Sequence, residues 1–156
     1  MSSEPARLAG KKLRARAQLN RTIRAFFDAR EFIEIEAPIV VPSPGLELHL
    51  DAFAVANDEA ARFLITSPEY QMKRLLAGGM DKIYSLGKVF RRKEAGAHHN
   101  PEFTMLEWYR ANADWTAIAD DTEQLVWQCA RTLDAARVGR CQLEPPWPRL
   151  SVAEAC

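Results

Sequence analysis

The stretch Phe103-Thr104-Met105-Leu106-Glu107-Trp108-Tyr109 decides the fold. Side chains on a strand alternate with a period of two, so Phe103, Met105, Glu107 and Tyr109 share one face, and Thr104, Leu106 and Trp108 share the other. Both faces are largely apolar, which predicts a strand covered on both sides. A carboxylate at Glu107 is costly to bury there unless a cation meets it. An arginine of the protein would make Glu107 structural and a ligand would make it functional; the pattern alone leaves both open.

A second long apolar stretch, Lys82 to Phe90, precedes this strand, and the polar run from Arg91 to Pro101 lies between them. Two adjacent strands with such a connection predict an antiparallel hairpin with a long tip, the second strand running from Glu102 to about Arg110. Arg91, Arg92 and Lys93 stand at the mouth of that hairpin. Three cations there can neutralise phosphate oxygens and a carboxylate, although a charge run without context is more often a solvated loop. His98 and His99 do not make a metal site, because neighbouring side chains seldom converge on one ion. GxxxxGK[ST], GxGxxG and GxSxG signatures are all absent, so any ATP site must be of another kind.

Upstream, Leu19, Ile23, Phe26 and Phe27 fall at helical spacing and predict an amphipathic helix from about Leu13 to Ala29, behind a flexible segment over residues 1–12. Phe32 to Glu36 reads as a short strand with Ile33 and Ile35 on one side, ended by Pro38. Val41-Pro42-Ser43-Pro44-Gly45 is a turn or loop. Leu48 to Ala56 and Phe63 to Thr66 read as strands. Ser67 is expected to cap a helix that has Pro68 in its first position, runs to about Ala77 and closes at Gly78-Gly79. Downstream, a helix is expected from Trp115 to Ala136 with Asp114 or Thr116 as its cap. Ser151-Val152-Ala153-Glu154 is a capping box, the start signal of a further helix whose body the sequence does not contain.

The chain has 156 residues, enough for one domain or part of one. Lysine plus arginine and aspartate plus glutamate both number 21, so no net field draws nucleic acid or an acidic membrane to it, and tRNA is disfavoured as a partner. Cys129, Cys141 and Cys156 are odd in number and far apart, which suits free thiols in a reducing cytoplasm. Residues 1–10 contain no apolar signal region, and no run approaches the ~20 apolar residues of a membrane span.

The run from Lys88-Val89-Phe90-Arg91 through His99-Asn100-Pro101-Glu102-Phe103-Thr104-Met105-Leu106-Glu107-Trp108-Tyr109-Arg110 resembles motif 2 of class II lysyl-tRNA synthetases, in the form found in the elongation factor P (R)-β-lysine ligases. Thr66-Ser67-Pro68-Glu69-Tyr70-Gln71-Met72-Lys73-Arg74-Leu75-Leu76 is similar to the substrate segment of that family. The helix, strand and proline ending at Pro38 resemble motif 1, its dimer-forming element. The resemblance covers nearly the whole chain from about Leu13.

It implies an α+β fold, an antiparallel sheet flanked by helices, present here as part of a catalytic domain over residues 13–156. It also implies a reaction in which lysine or β-lysine attacks the α-phosphate of ATP to give an acyl-adenylate. By resemblance, Arg91 is the catalytic residue, contacting the α-phosphate and the substrate carboxylate. Ser67, Pro68 and Glu69 belong to the substrate segment, with Glu69 receiving the α-amino group or its β counterpart. Glu107 and Tyr109 read the distal ammonium. Arg92, Lys93, Glu94, Asn100 and Phe103 fall to the nucleotide, with Phe103 stacking on adenine.

Lys93 stands where the family usually has an acidic residue that helps hold adenine, and Glu94 follows one place later. Motif 3 and the downstream carboxylates for Mg2+ are not in the sequence, so no metal ligands are assigned and the chain alone is expected to be inactive. No room for an anticodon-binding barrel precedes the first helix. This absence and the neutral charge point to elongation factor P as the acceptor, with a piece of a lysyl-tRNA synthetase or a non-catalytic dimerising module as alternatives. A homodimer through motif 1 is expected.

Overall fold

The computed structural model describes residues 4–45, 47, 49–56, 60–94, 96–135, 137–138 and 141–155. The element order is α1 (Glu4–Asp28), β1 (Ile33–Glu34), β2 (Val40–Val41), β3 (Ala54–Val55), β4 (Arg62–Leu64), α2 (Glu69–Ala77), β5 (Lys82–Phe90), β6 (Glu102–Arg110), α3 (Trp115–Thr132), β7 (Arg137–Val138), β8 (Cys141–Gln142) and α4 (Val152–Ala155). The chain divides into two compact units, one of residues 1–30 with 113–156 and one of residues 31–112. The α+β class expected from the sequence holds.

In the first unit, α1 and α3 pair. Helix α1 begins at Glu4, so residues expected to be a flexible lead-in form its first turns from that point. Pro5 is tolerated in a first turn, and Ala6, Leu8, Ala9, Lys11 and Lys12 are good helix formers. Ile23, Phe26 and Phe27 are buried, as the apolar stripe required, and the two rings meet edge to face at 5.3 Å. Thr22 Oγ1 donates to Thr132 Oγ1 at 3.2 Å and Gln18 Nε2 to the Thr132 carbonyl at 3.0 Å. Arg30 lies over the Phe26 ring, donates to Gln124 Oε1 at 3.2 Å and approaches the buried Asp121 carboxylate at 3.9 Å.

Asp114 caps α3, accepting from the Thr116 amide at 2.9 Å. The helix ends at Thr132, short of the expected Ala136, which lies outside the described residues. Arg149 pairs with Asp120 and Glu123, and the Trp147 amide donates to Glu123, so the proline-rich connector is pinned to α3. The capping box at α4 is formed: Ser151 Oγ donates to Glu154 Oε2 at 2.8 Å, and the Glu154 amide returns a bond to Ser151 Oγ at 3.3 Å.

The second unit is built on the expected hairpin. β5 and β6 pair antiparallel over all nine residues, from Lys82 opposite Arg110 to Phe90 opposite Glu102. β1 adds to the other edge of β5 in parallel, Ile33 opposite Ile83, so the sheet is mixed and not antiparallel throughout. β1 is only two residues long, shorter than the expected strand from Phe32 to Glu36. Phe32 is buried at 4% and Arg110 stacks over its ring, while Ile33 is 54% exposed.

A second small sheet has the order β2-β4-β3. The strand expected from Leu48 to Ala56 shrinks to Ala54–Val55, and Leu48 itself lies outside the described residues. β4 is Arg62–Leu64, one residue earlier than Phe63 to Thr66, because Ile65 and Thr66 turn inward to meet other partners. The amide of Ile65 donates to Ile39 O at 3.0 Å and Phe90 N to Ile65 O at 2.9 Å, joining the two sheets. Val41, Ile65 and Val89 form the core between them, with Phe103 and Met105 packed against it. On the other face of the hairpin, Tyr84 is fully buried and donates to Glu34 Oε2 at 2.9 Å.

The unit built on α1 and α3 depends on its two fully buried phenylalanines. Phe27→Ala is expected to lower the unfolding free energy by about 3–5 kcal/mol, read as a fall in urea midpoint at unchanged slope.

Candidate functional site

On one face of the hairpin the register sets four pairs side by side: Ile83 with Tyr109, Ser85 with Glu107, Gly87 with Met105, and Val89 with Phe103. Large residues stand at both ends of that face on β5, and the two small ones, Ser85 and Gly87, stand in the middle. A Cβ built at Gly87 would meet nothing nearer than Ser85 Oγ at 3.9 Å. A hollow is therefore left at Gly87, one pair along from Glu107.

Glu107 has both carboxylate oxygens engaged by neutral donors. Tyr109 OH donates to Oε1 at 2.7 Å and Ser67 Oγ to Oε2 at 2.8 Å. Among the described residues no arginine forms an ion pair with it. Two hydroxyls satisfy hydrogen bonding and leave the negative charge in place. The Tyr109 phenol is pushed well above the ordinary tyrosine value, first by burial and then by its bond to Glu107 and the charges of Glu107 and Glu69.

Ser67 is reached by way of the turn before α2. The assigned cap position is Pro68, one residue later than expected, because proline's fixed φ already suits the helix start. Ser67 still serves the helix end, since its Oγ accepts from the Glu69 amide at 3.1 Å. One hydroxyl thus links the α2 terminus to Glu107. Pro68 is buried, and its carbonyl accepts from the Met72 amide at 3.0 Å. Glu69 points along α2 and pairs with Lys73 one turn on; this bond raises the Lys73 ammonium above its ordinary value.

Arg91 leaves the end of β5 half-buried. Its Nε donates to the Thr66 carbonyl at 3.3 Å, its Nη1 to Glu94 Oε1 at 3.3 Å, and its guanidinium lies 5.2 Å from the Phe103 ring centre. Arg92 and Lys93 are exposed and turn to Asp51, whose backbone carbonyl accepts from the Arg92 amide at 2.7 Å. The hydrogen bond from Lys93 holds the Asp51 carboxyl below the usual carboxylate range. Asn100 is exposed on the loop.

Two groups of expected site residues are thus assembled: Ser67, Glu69, Glu107 and Tyr109 around the hollow, and Arg91, Glu94 and Phe103 at the hairpin mouth. Arg92, Lys93 and Asn100 are set apart on the loop. Sequence reading missed Asp51, Lys73, Thr66, Ser85 and Gly87. The i,i+4 spacing of Glu69 and Lys73, and the small residues facing Glu107 once the hairpin is paired, were available signals. Nothing in the sequence places Asp51 beside Lys93. An open cleft of about 640 Å3 in the other unit, lined by Trp127, Arg131 and Pro145 among others, contains none of the expected residues.

Gly87→Leu is expected to fill the hollow and leave the hairpin folded, read as an unchanged circular dichroism spectrum. Tyr109 should ionise well above a free tyrosine in an ultraviolet titration. Glu107→Gln should bring it only part of the way down, because burial is the larger cause. Since its pKa is raised on folding, the neutral phenol's contribution to stability is complete below pH ~10 and is lost as pH rises above that value.

Residues 6–156 match the family described as tRNA synthetases class II (D, K and N). The elongation factor P (R)-β-lysine ligase of Yersinia enterocolitica is 45% identical over 119 residues, which cover 72% of this chain and 37% of that protein. The ligase of the same name from Vibrio campbellii is 39% identical over 160 residues, covering 92% and 50%. The lysine–tRNA ligase of Moorella thermoacetica is 39% identical over 146 residues, covering 90% and 30%. The chain spans half or less of the length of these relatives. With the paired hairpin and the residues gathered on its face, this match establishes that the chain belongs to the class II tRNA synthetases of the D, K and N group.

Proposed function

We propose that the protein containing this chain activates lysine or β-lysine with ATP as an acyl-adenylate and passes the lysyl group to a lysine of elongation factor P. The observation that carries this reading is Glu107, a half-buried carboxylate fixed by Ser67 and Tyr109, next to the open space at Gly87 and in no ion pair among the described residues. An amine of a dibasic amino acid supplies the missing charge. Glu69, on the adjoining helix end, takes the second amine, so that two carboxylates recognise two ammonium groups. The names of the relatives from Yersinia enterocolitica and Vibrio campbellii support the same substrate and acceptor.

In the first step a carboxylate oxygen of the amino acid attacks the α-phosphorus of ATP, and the bond to pyrophosphate breaks. Arg91 is placed for that centre. Its Nε and Nη1 are engaged, its planar fork carries further N–H groups for phosphate and carboxylate oxygens, and Phe103 lies beneath it for the adenine. Glu94 and Asn100 lie on the same loop for the nucleotide, with Arg92 and Lys93 behind them. In the second step the acceptor lysine nitrogen attacks the acyl carbon, and AMP leaves. Class II synthetases also use Mg2+; among the described residues no group of three or more His, Cys, Asp or Glu side chains is gathered to hold a metal ion.

Ile33 is exposed on the segment that resembles motif 1, and Ile39 and Val40 are exposed just beyond its end at Pro38, which supports a homodimer formed there. No helix among the described residues is long and apolar enough to cross a membrane, and the reading places the protein in the cytoplasm. Residues from about Leu13 onward are taken as part of one catalytic domain. A second reading, in which tRNA is the acceptor, rests on the Moorella thermoacetica relative.

The full-length protein should catalyse ATP–pyrophosphate exchange that depends on lysine or β-lysine, and should transfer label to elongation factor P and not to tRNA. Label on tRNA would replace the first reading by the second, and exchange with neither amino acid would overturn both. Glu107→Gln should lower kcat/KM for the amino acid roughly a hundredfold, the scale of leaving a buried charge unpaired.

A further inference from the structure

Lys73 has no part in the roles described so far, yet its ammonium lies where a ligand's amine is expected. It is bonded to Glu69, and the charge of Glu107, from a different element, contributes to the rise in its pKa. Glu69 in turn acts on the Tyr109 phenol. Lys73, Glu69, Tyr109 and Glu107 therefore form one electrostatic group spanning α2 and β6, in which Lys73 is the cation. The pair faces solvent, and its charges are also within reach of Glu107 and Tyr109 on β6.

We propose that Lys73 is a tethered counter-ion that holds the Glu69 carboxylate in the ligand-free protein and gives it up to the substrate amine. This inference rests on the lysine-site reading above and adds a specificity-determining residue to it. The side chain is suited to such an exchange: it is more than half exposed, at 57%, and its flexible four-carbon stem can swing into water without disturbing Met72, the buried residue of the helix. While it is in place it matches the charge of Glu69, so a ligand gains at that carboxylate only the difference between its own amine and Lys73. A ligand without an amine at that position has nothing to exchange.

The experiment is calorimetric titration of the full-length protein with lysine and with 6-aminohexanoate, which keeps the distal ammonium and lacks the α-amine. Lys73→Met removes the charge and keeps much of the stem; Lys73→Arg keeps the charge. Lys73→Met should bind lysine about two- to fivefold more tightly, the range spanned by exposed ion pairs. Its affinity for 6-aminohexanoate should not rise, and Lys73→Arg should behave as the unmodified protein. A structural role for Lys73 would shift both ligands together. Equal shifts, or lysine binding unchanged or weakened in Lys73→Met, would overturn the proposal while leaving the lysine site intact. An unmodified protein that binds neither ligand would overturn the lysine site and, with it, the exchange at Glu69.

Discussion

A carboxylate held by two hydroxyls is the constraint around which the second unit is arranged. For Glu107 to keep a charge in a half-buried place, donors must reach both of its oxygens, and each donor comes from a specific structural requirement. Tyr109 is on the same strand face two residues away. Ser67 arrives from the start of α2, whose first turn it also satisfies. The small residues of β5 opposite leave space where a larger side chain would have covered the charge. Hairpin register, helix start and strand composition thus converge on one side chain.

The same economy is visible at the hairpin mouth. Arg91 is anchored by the Thr66 carbonyl and balanced by Glu94, while Asp51 gathers Arg92 and Lys93. Three consecutive cations are thereby separated: one is directed to the sheet face and two are held outside it. Glu94 offsets Arg91, so the site residue carries its charge without creating an isolated positive centre. Glu69 and Arg91 thus each have a partner of opposite sign within the chain.

Much of this could be read from the amino acids. Period two gave the face shared by Phe103, Met105, Glu107 and Tyr109, and the polar interval between two apolar runs gave the antiparallel pair. The helix around Phe26 and Phe27 and the capping box at Ser151 and Glu154 were similarly local patterns. Failures came where tertiary contacts override local sequence. Alternation put Ile33 and Ile35 on one side of a strand from Phe32 to Glu36, but β1 is only two residues long, and the buried residue is Phe32 just before it, with Arg110 over its ring. The bond from Asp51 to Lys93 joins residues with no periodic relation, and no local rule could supply it. Whether Glu107 met an arginine or a ligand was undecidable from the strand, because the answer depended on what other elements brought near it.

The parallel pairing of β1 with β5 has a consequence for the order in which the chain folds. β5 and β6 are joined directly by the loop from Arg91 to Pro101 and can zip from its end, whereas Glu34 and Tyr84 meet across a separation of fifty residues. Closing that loop costs chain entropy before any contact offsets it. The hairpin carrying the site therefore forms early as a local nucleus, and β1 docks late. Mutations at the Glu34–Tyr84 contact belong to the class that accelerates unfolding while leaving the folding rate almost unchanged.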